Sequence, residues 1–164
     1  MIMNIFNIIA FVTLILTSIN YLNGSTFRSL EEYSKAEISK VAEVFGQIQK
    51  IKKSCNEKIK SILDSKQKIH GYGASTKGNV ILQYCDIGPD LLPFIGDITP
   101  FKDGAFTPGT KIPIISMEKA KAMKPDYFLV LPWAFRNDIL QREKETIQNR
   151  IKFIFPLPFV EIVC

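Results

Sequence analysis

The stretch Lys68–Asn79, KIHGYGASTKGN, decides how the chain is read. A short run fit for a strand opens into glycines, and an apolar helical pattern begins near Thr76. Gly71 and Gly73 allow the backbone a positive φ or a close approach to a ligand, and a helix starting at Thr76 would aim unpaired N–H groups at an anion. Lys77 and Asn79 add polar side chains at the same turn. The spacing is G-x-G-x4-G, which differs from the dinucleotide fingerprint G-x-G-x-x-G. Spacing alone therefore leaves two readings open, a ligand-holding turn and a tight strand-to-helix turn with no ligand.

Downstream, short apolar runs alternate with helical stretches, the pattern of a parallel α/β sheet. Strands are expected at 69–72, 94–97 and 112–115, with helices over 76–84 and 117–123. The run from Asp126 to Leu131 is continuously apolar and predicts a central strand covered on both faces. A helix over 135–148 follows, then strands over 151–155 and 159–163, which Pro156 and Pro158 keep from being one continuous strand. Asp97 closes the second strand at about the 20-residue spacing at which an acidic residue reaches a ribose hydroxyl in nucleotide-binding folds. Capping of the turn at Ile98-Thr99-Pro100 explains it equally well. The loop from Thr99 to Lys111 is long enough to act as a lid. Trp133 and Arg136 follow the central strand, where ligands of open α/β sheets bind, and core packing is the competing role for Trp133.

Upstream, Ser29-Leu30-Glu31-Glu32 has the form of a capping box, and a helical pattern runs from it to about Ser65. Val41, Phe45, Ile48, Cys55, Ile59 and Ile62 share one stripe. Lys52 in the stripe and Gly46, which costs a helix roughly 1 kcal/mol, predict two helices or a kink. Residues 5–16 are apolar but too short to span a bilayer, and no Lys or Arg precedes them as in a signal peptide. The favoured reading is a pair of buried strands, 11–19 and from Thr26 onward, joined near Asn23-Gly24.

At 164 residues the chain holds one domain with a real core plus appended structure. The net charge of +5 is concentrated in Lys35–Lys68, along a helical pattern without interleaved aromatics. That pattern reads as a solvated helix face, and nucleic acid is not an expected partner. Cys55, Cys85 and Cys164 form an odd, widely spaced set that suggests neither zinc nor a disulfide framework and fits a reducing compartment. With His70 as the single histidine, the usual hydrolase triads are excluded unless it acts alone.

Four ordered runs carry a family resemblance: GYGASTKGNVILQYC (71–85), DITPFKDGAFTPGTKIPI (97–114), KPDYFLVLPWAFRNDI (124–139) and IFPLPFVEIV (154–163). Over about residues 41–163 the chain resembles the C-terminal domain of the S-adenosylmethionine-dependent sugar C-methyltransferases. Members of that family join an N-terminal zinc-binding part, a middle domain that holds the methyl donor and the base, and this Rossmann-like domain. Asn23-Gly24-Ser25-Thr26-Phe27-Arg28 resembles the end of the middle domain imperfectly. The resemblance implies that Gly71, Tyr72, Gly73, Lys77, Gly78 and Asn79 help hold a nucleotide-linked sugar. Lys111 stands where relatives commonly carry His, and Ile98-Thr99 replaces a usual Arg-Asn, so the ligand read here is left open.

The expectation is thus an α/β fold: a small Rossmann-like parallel sheet with flanking helices (67–164), preceded by a long basic amphipathic helical region (29–66) and an apolar segment (1–28), the remnant of a middle domain. The expected function is the nucleotide-sugar-binding part of a C-methyltransferase, truncated and inactive alone. Expected substrate-binding residues are Gly71, Tyr72, Gly73, Ala74, Lys77, Gly78, Asn79, Asp97 and Trp133, with no catalytic or metal-binding residue. S-adenosylmethionine is the cofactor of the full-length family, and none is expected to bind this chain alone. A separate catalytic chain is the conceivable protein partner, a membrane is not expected, and the compartment is the cytoplasm. The alternatives are a non-catalytic interaction domain docking on such a chain and a membrane-anchored α/β binding protein.

Overall fold

The computed structural model describes residues 30–164, so the strand pair expected near Asn23-Gly24 and the capping role of Ser29 lie outside the described residues. Contacts divide the chain into two units at Ile48 and Gln49, and all that follows concerns the second, Gln49–Cys164, apart from the first half of the leading helix. That helix, α1 (Leu30–Asp64), is helical without interruption through Gly46, so the expected division into two helices is corrected. A cost of about 1 kcal/mol at one glycine is too small to break 35 residues of otherwise good helix formers. No helix among the described residues is long and apolar enough to cross a membrane.

The elements after α1 are β1 (Ile69–Tyr72), α2 (Thr76–Tyr84), β2 (Ile95–Asp97), β3 (Ile114–Ser116), α3 (Met117–Ala122), β4 (Tyr127–Val130), α4 (Arg136–Arg142), α5 (Lys144–Gln148), β5 (Lys152–Phe155) and β6 (Glu161–Val163). The six strands form one sheet in the order β3-β2-β1-β4-β5-β6. β1 to β5 are parallel, and β6 runs antiparallel to β5. A parallel crossover needs a dozen or more residues, and the Pro156–Pro158 turn is far shorter, so β6 returns antiparallel.

Alternation along the strands assigns the two faces. Ile69, Ile95, Leu129 and Ile154 point toward Cys55, Ile59 and Ile62 of α1 and Ile81 and Leu82 of α2. Tyr72, Phe128, Val130, Phe153 and Phe155 point toward Met117, Ala120 and Ile139 of α3 and α4. All four residues of β4 are buried, as a strand covered on both faces requires.

The single helix expected over 135–148 is two. A 3-10 turn (Trp133–Phe135) leads into α4, and the helix breaks at Glu143, which has φ −98° and ψ 17°. The break turns the Glu143 carboxylate inward, where Tyr72, Lys121 and Thr146 hydrogen-bond it.

Candidate functional site

In the order 3-2-1-4-5-6 the chain reverses direction of winding between β1 and β4, and ligands of such sheets bind in the crevice beyond the strands' carboxyl ends at that point. The segments that meet there are the turn after β1 (residues 73–76) and the residues after β4 (131–135). Gly73 has φ +75°, the left-handed conformation that the turn requires and that a side chain would strain. Gly78 serves close approach, since a Cβ there would fall on Leu131. Gly71 lies within β1, where a Cβ would lie 2.6 Å from Ile95 Cγ1, so strand packing excludes a side chain there.

The turn is held by Asp97. Its Oδ2 accepts from Ala74 N at 2.7 Å and from Lys102 Nζ at 3.1 Å, and its Oδ1 accepts from Thr99 N at 2.8 Å. Asp97 thus caps the Thr99 turn, one of its two sequence readings, and also ties the glycine turn to β2. Burial opposes its charge, but the bonds from Thr99, Lys102 and Ala74 outweigh this and hold its pKa below the usual carboxylate value. Lys102 also donates to Ala74 O at 2.8 Å.

Ser75 caps α2, its Oγ accepting from Gly78 N at 3.0 Å. Of the N–H groups from Ala74 to Gly78, the first goes to Asp97 and the last to Ser75. Those of Ser75, Thr76 and Lys77 have no hydrogen-bond partner among the described residues. Lys77 is exposed and its ammonium makes no hydrogen bond or ion pair there.

Two cavities flank this turn and share Ala74, Ser75 and Lys102. One, of about 300 Å³, opens between α2 and the 105–108 loop and includes Asn79. The other, of about 350 Å³, lies toward α4 and includes Tyr72, Gly73, Asp97 and Arg142. The loop over 99–111 is tied to its neighbours at two points: Lys102 joins it to the glycine turn, and Gln83 Nε2 donates to Pro108 O at 3.1 Å.

Of the sequence-predicted residues, the crevice gathers Tyr72, Gly73, Ala74, Asn79 and Asp97. Lys77 stands at its edge, and Gly71 and Gly78 shape it from behind. Trp133 lines neither cavity and packs partly buried against both cores. Arg136 is turned away, in a two-point ion pair with Glu161 (2.7 and 3.1 Å) that fastens α4 to β6. Lys111 is exposed and lines neither cavity. Sequence reading missed Ser75, which its position ahead of a helical pattern marks as a cap, and Lys102 and Arg142, whose bonds to Ala74 and Tyr72 join residues distant in sequence.

Residues 26–158 match the family described as the C-methyltransferase C-terminal domain. The chain belongs to that family. A curated relative, C-methyltransferase NovU of Streptomyces niveus, is 34% identical over 115 residues, which are 70% of this chain and 27% of the relative. The chain thus matches about a quarter of that relative's length. The resemblance read from the four sequence runs is borne out.

Proposed function

We propose that this C-methyltransferase C-terminal domain binds a nucleotide-linked sugar, with the diphosphate at the start of α2. The supporting observation is the row of three N–H groups at Ser75, Thr76 and Lys77, which with the Lys77 ammonium have no partner among the described residues, at the winding reversal of the sheet. A helix N-terminus carries partial positive charge, and a phosphate oxygen satisfies donors that the helix itself cannot.

In this reading the methyl donor and the base that removes the proton are held by a separate domain or polypeptide. The partner surface for it is the apolar rim of Ile98 (60% exposed) and Phe135 (62%) at the second cavity. Buried, free Cys55 and Cys85 fit a reducing, cytoplasmic setting.

Calorimetric titration of a nucleoside-diphosphate sugar into the wild-type chain and Lys77→Ala tests the reading. A charge-assisted contact contributes about 1.5–3 kcal/mol, so the variant binds roughly ten- to a hundredfold more weakly. Equal affinities reject the role of Lys77, and absence of binding by the wild type rejects nucleotide-sugar binding by this chain.

A further inference from the structure

Cys55 and Cys85 are free thiols, each 1% exposed, in the core that joins α1 and α2 to the sheet. The segments that carry them are fixed against each other. Asn56 Nδ2 donates to the Cys85 carbonyl at 3.0 Å, Lys52 Nζ meets Asp86 Oδ2 at 2.6 Å, and the same ammonium stands 5.3 Å from the centre of the Tyr84 ring. Residues 52–56 of α1 are thereby clamped to residues 84–86 at the end of α2, and the two sulfurs hydrogen-bond each other. That bond, with Lys52 adding to it, holds the Cys85 thiol below its usual pKa in spite of burial, whereas the same bond and burial push Cys55 up. Neither cysteine lines the cavities of the crevice.

We propose that Cys55 and Cys85 form a modification site, a dithiol that a peroxide closes to a disulfide, with Cys85 attacking and Cys55 resolving. The Cys85 thiolate attacks one oxygen of the peroxide: an S–O bond forms, the O–O bond breaks, and the departing hydroxide takes up the proton that Cys85 released. The Cys55 sulfur then attacks the sulfenic acid on Cys85. The S–S bond forms, the S–O bond breaks, and hydroxide leaves with the Cys55 proton as a second water. The pair loses two electrons in all, and one peroxide is reduced to water. The roles follow from the thiols' surroundings, because the thiolate is the nucleophile and Lys52 favours it at Cys85. Cys85 is also the C-cap of α2, and a helix end opens locally at lower cost than a core strand. Above it lies only the Lys52–Asp86 bridge, whose Asp86 is 79% exposed. In a reducing setting the pair rests as thiols, and a bridge formed there is transient. The chain between the two cysteines carries β1 and the whole turn after it, so oxidation places the crevice's turn inside a closed covalent loop.

The test treats the folded 164-residue chain, wild type and Cys164→Ser, with hydrogen peroxide, blocks remaining thiols with a maleimide in urea, and maps the peptides by mass. Exposed Cys164 of the wild type gauges the oxidant. Peroxide sufficient to oxidise Cys164 should join the Cys55 and Cys85 peptides with loss of both thiol hydrogens, and dithiothreitol should reverse this. In the Cys164→Ser background, Cys55→Ser should stop at a sulfenic acid on Cys85 that dimedone traps, and Cys85→Ser should leave Cys55 unmodified. Should a serine variant fail to fold, the peptide map of Cys164→Ser decides alone. Cys55 and Cys85 both recovered as maleimide adducts, or joined only when the chain is unfolded before oxidation, overturn the site. A dimedone adduct on Cys55 in Cys85→Ser overturns the division of roles.

Discussion

The phenolic oxygen of Tyr72, on the central strand β1, lies 2.8 Å from Oε1 of Glu143, the residue at which the α4–α5 helix breaks. Arg142 donates to the same phenol at 2.8 Å, and Lys121 and Thr146 donate to the other carboxylate oxygen at 2.5 and 2.6 Å. With Glu143 only 3% exposed, a buried charge is satisfied from three directions. Burial and Glu143 together push the Tyr72 pKa up to about 12, so it remains a neutral donor.

This network makes stability depend on pH. Burial opposes the Glu143 charge, but Lys121, Thr146 and Tyr72 outweigh it and hold its pKa below the usual value. A carboxylate depressed in the folded state contributes stability above its unfolded pKa of about 4.3 and loses it as pH falls through the folded value. Glu143→Gln should thus be less stable than wild type at pH 7, with the gap closing below about pH 4. Tyr72→Phe should cost about 1.5–3 kcal/mol at pH 7, as for a bond to a charged group. Urea unfolding at several pH values measures both, and a gap independent of pH would show that the charge is not responsible.

Two glycines should respond oppositely to alanine. At Gly78 a Cβ meets Leu131, and overpacking of this kind costs about 1–3 kcal/mol. At Gly46, inside α1, nothing lies within 4 Å, and alanine should stabilise by roughly 0.5–1 kcal/mol through helix propensity. Thermal unfolding of the two variants checks the signs, and a neutral Gly78→Ala would mean that the α2 start is not pressed against β4.

What was legible in the sequence is what local pattern determines. β1 and α2 were read to the residue, and the apolar run at 126–131 gave the central strand. The Glu143 break escaped because Ile139, Leu140 and Ile147 keep a helical period across it, and its cause, Tyr72, is 71 residues away. Lys102 escaped for the same reason, since its partners Ala74 and Asp97 meet it only after the sheet forms. Gly71 and Gly73 look alike in the sequence, and only the assembled sheet separates them, since Gly73 takes a positive φ and at Gly71 Ile95 on the adjacent strand excludes a side chain.

The chain should transfer no methyl group when incubated with S-adenosylmethionine and a nucleotide-linked keto sugar. In the proposed reading the methyl donor and the base that removes the proton are held by a separate domain or polypeptide. Transfer of labelled methyl to the sugar by the pure chain would overturn this.

The anion site can be separated from the helix cap at a single residue. Ser75 caps α2 through its side chain, and its N–H is one of the three free donors. Ser75→Ala removes the cap and should cost about 1 kcal/mol of stability, which confounds any loss of binding. Ser75→Asp keeps a capping oxygen and adds a negative charge at the helix N-terminus, so its stability should equal or slightly exceed that of wild type. The same charge faces the proposed diphosphate. Two like charges about 4 Å apart repel by about 1 kcal/mol in water and about 4 kcal/mol near a protein surface, so affinity should fall from severalfold to several-hundredfold. The loss should shrink as salt rises, because the crevice is open to solvent and the repulsion is screened. Calorimetry and thermal unfolding of Ser75→Asp at low and high salt give the comparison. A variant as stable as wild type that binds a nucleoside-diphosphate sugar equally well would place the diphosphate away from the start of α2.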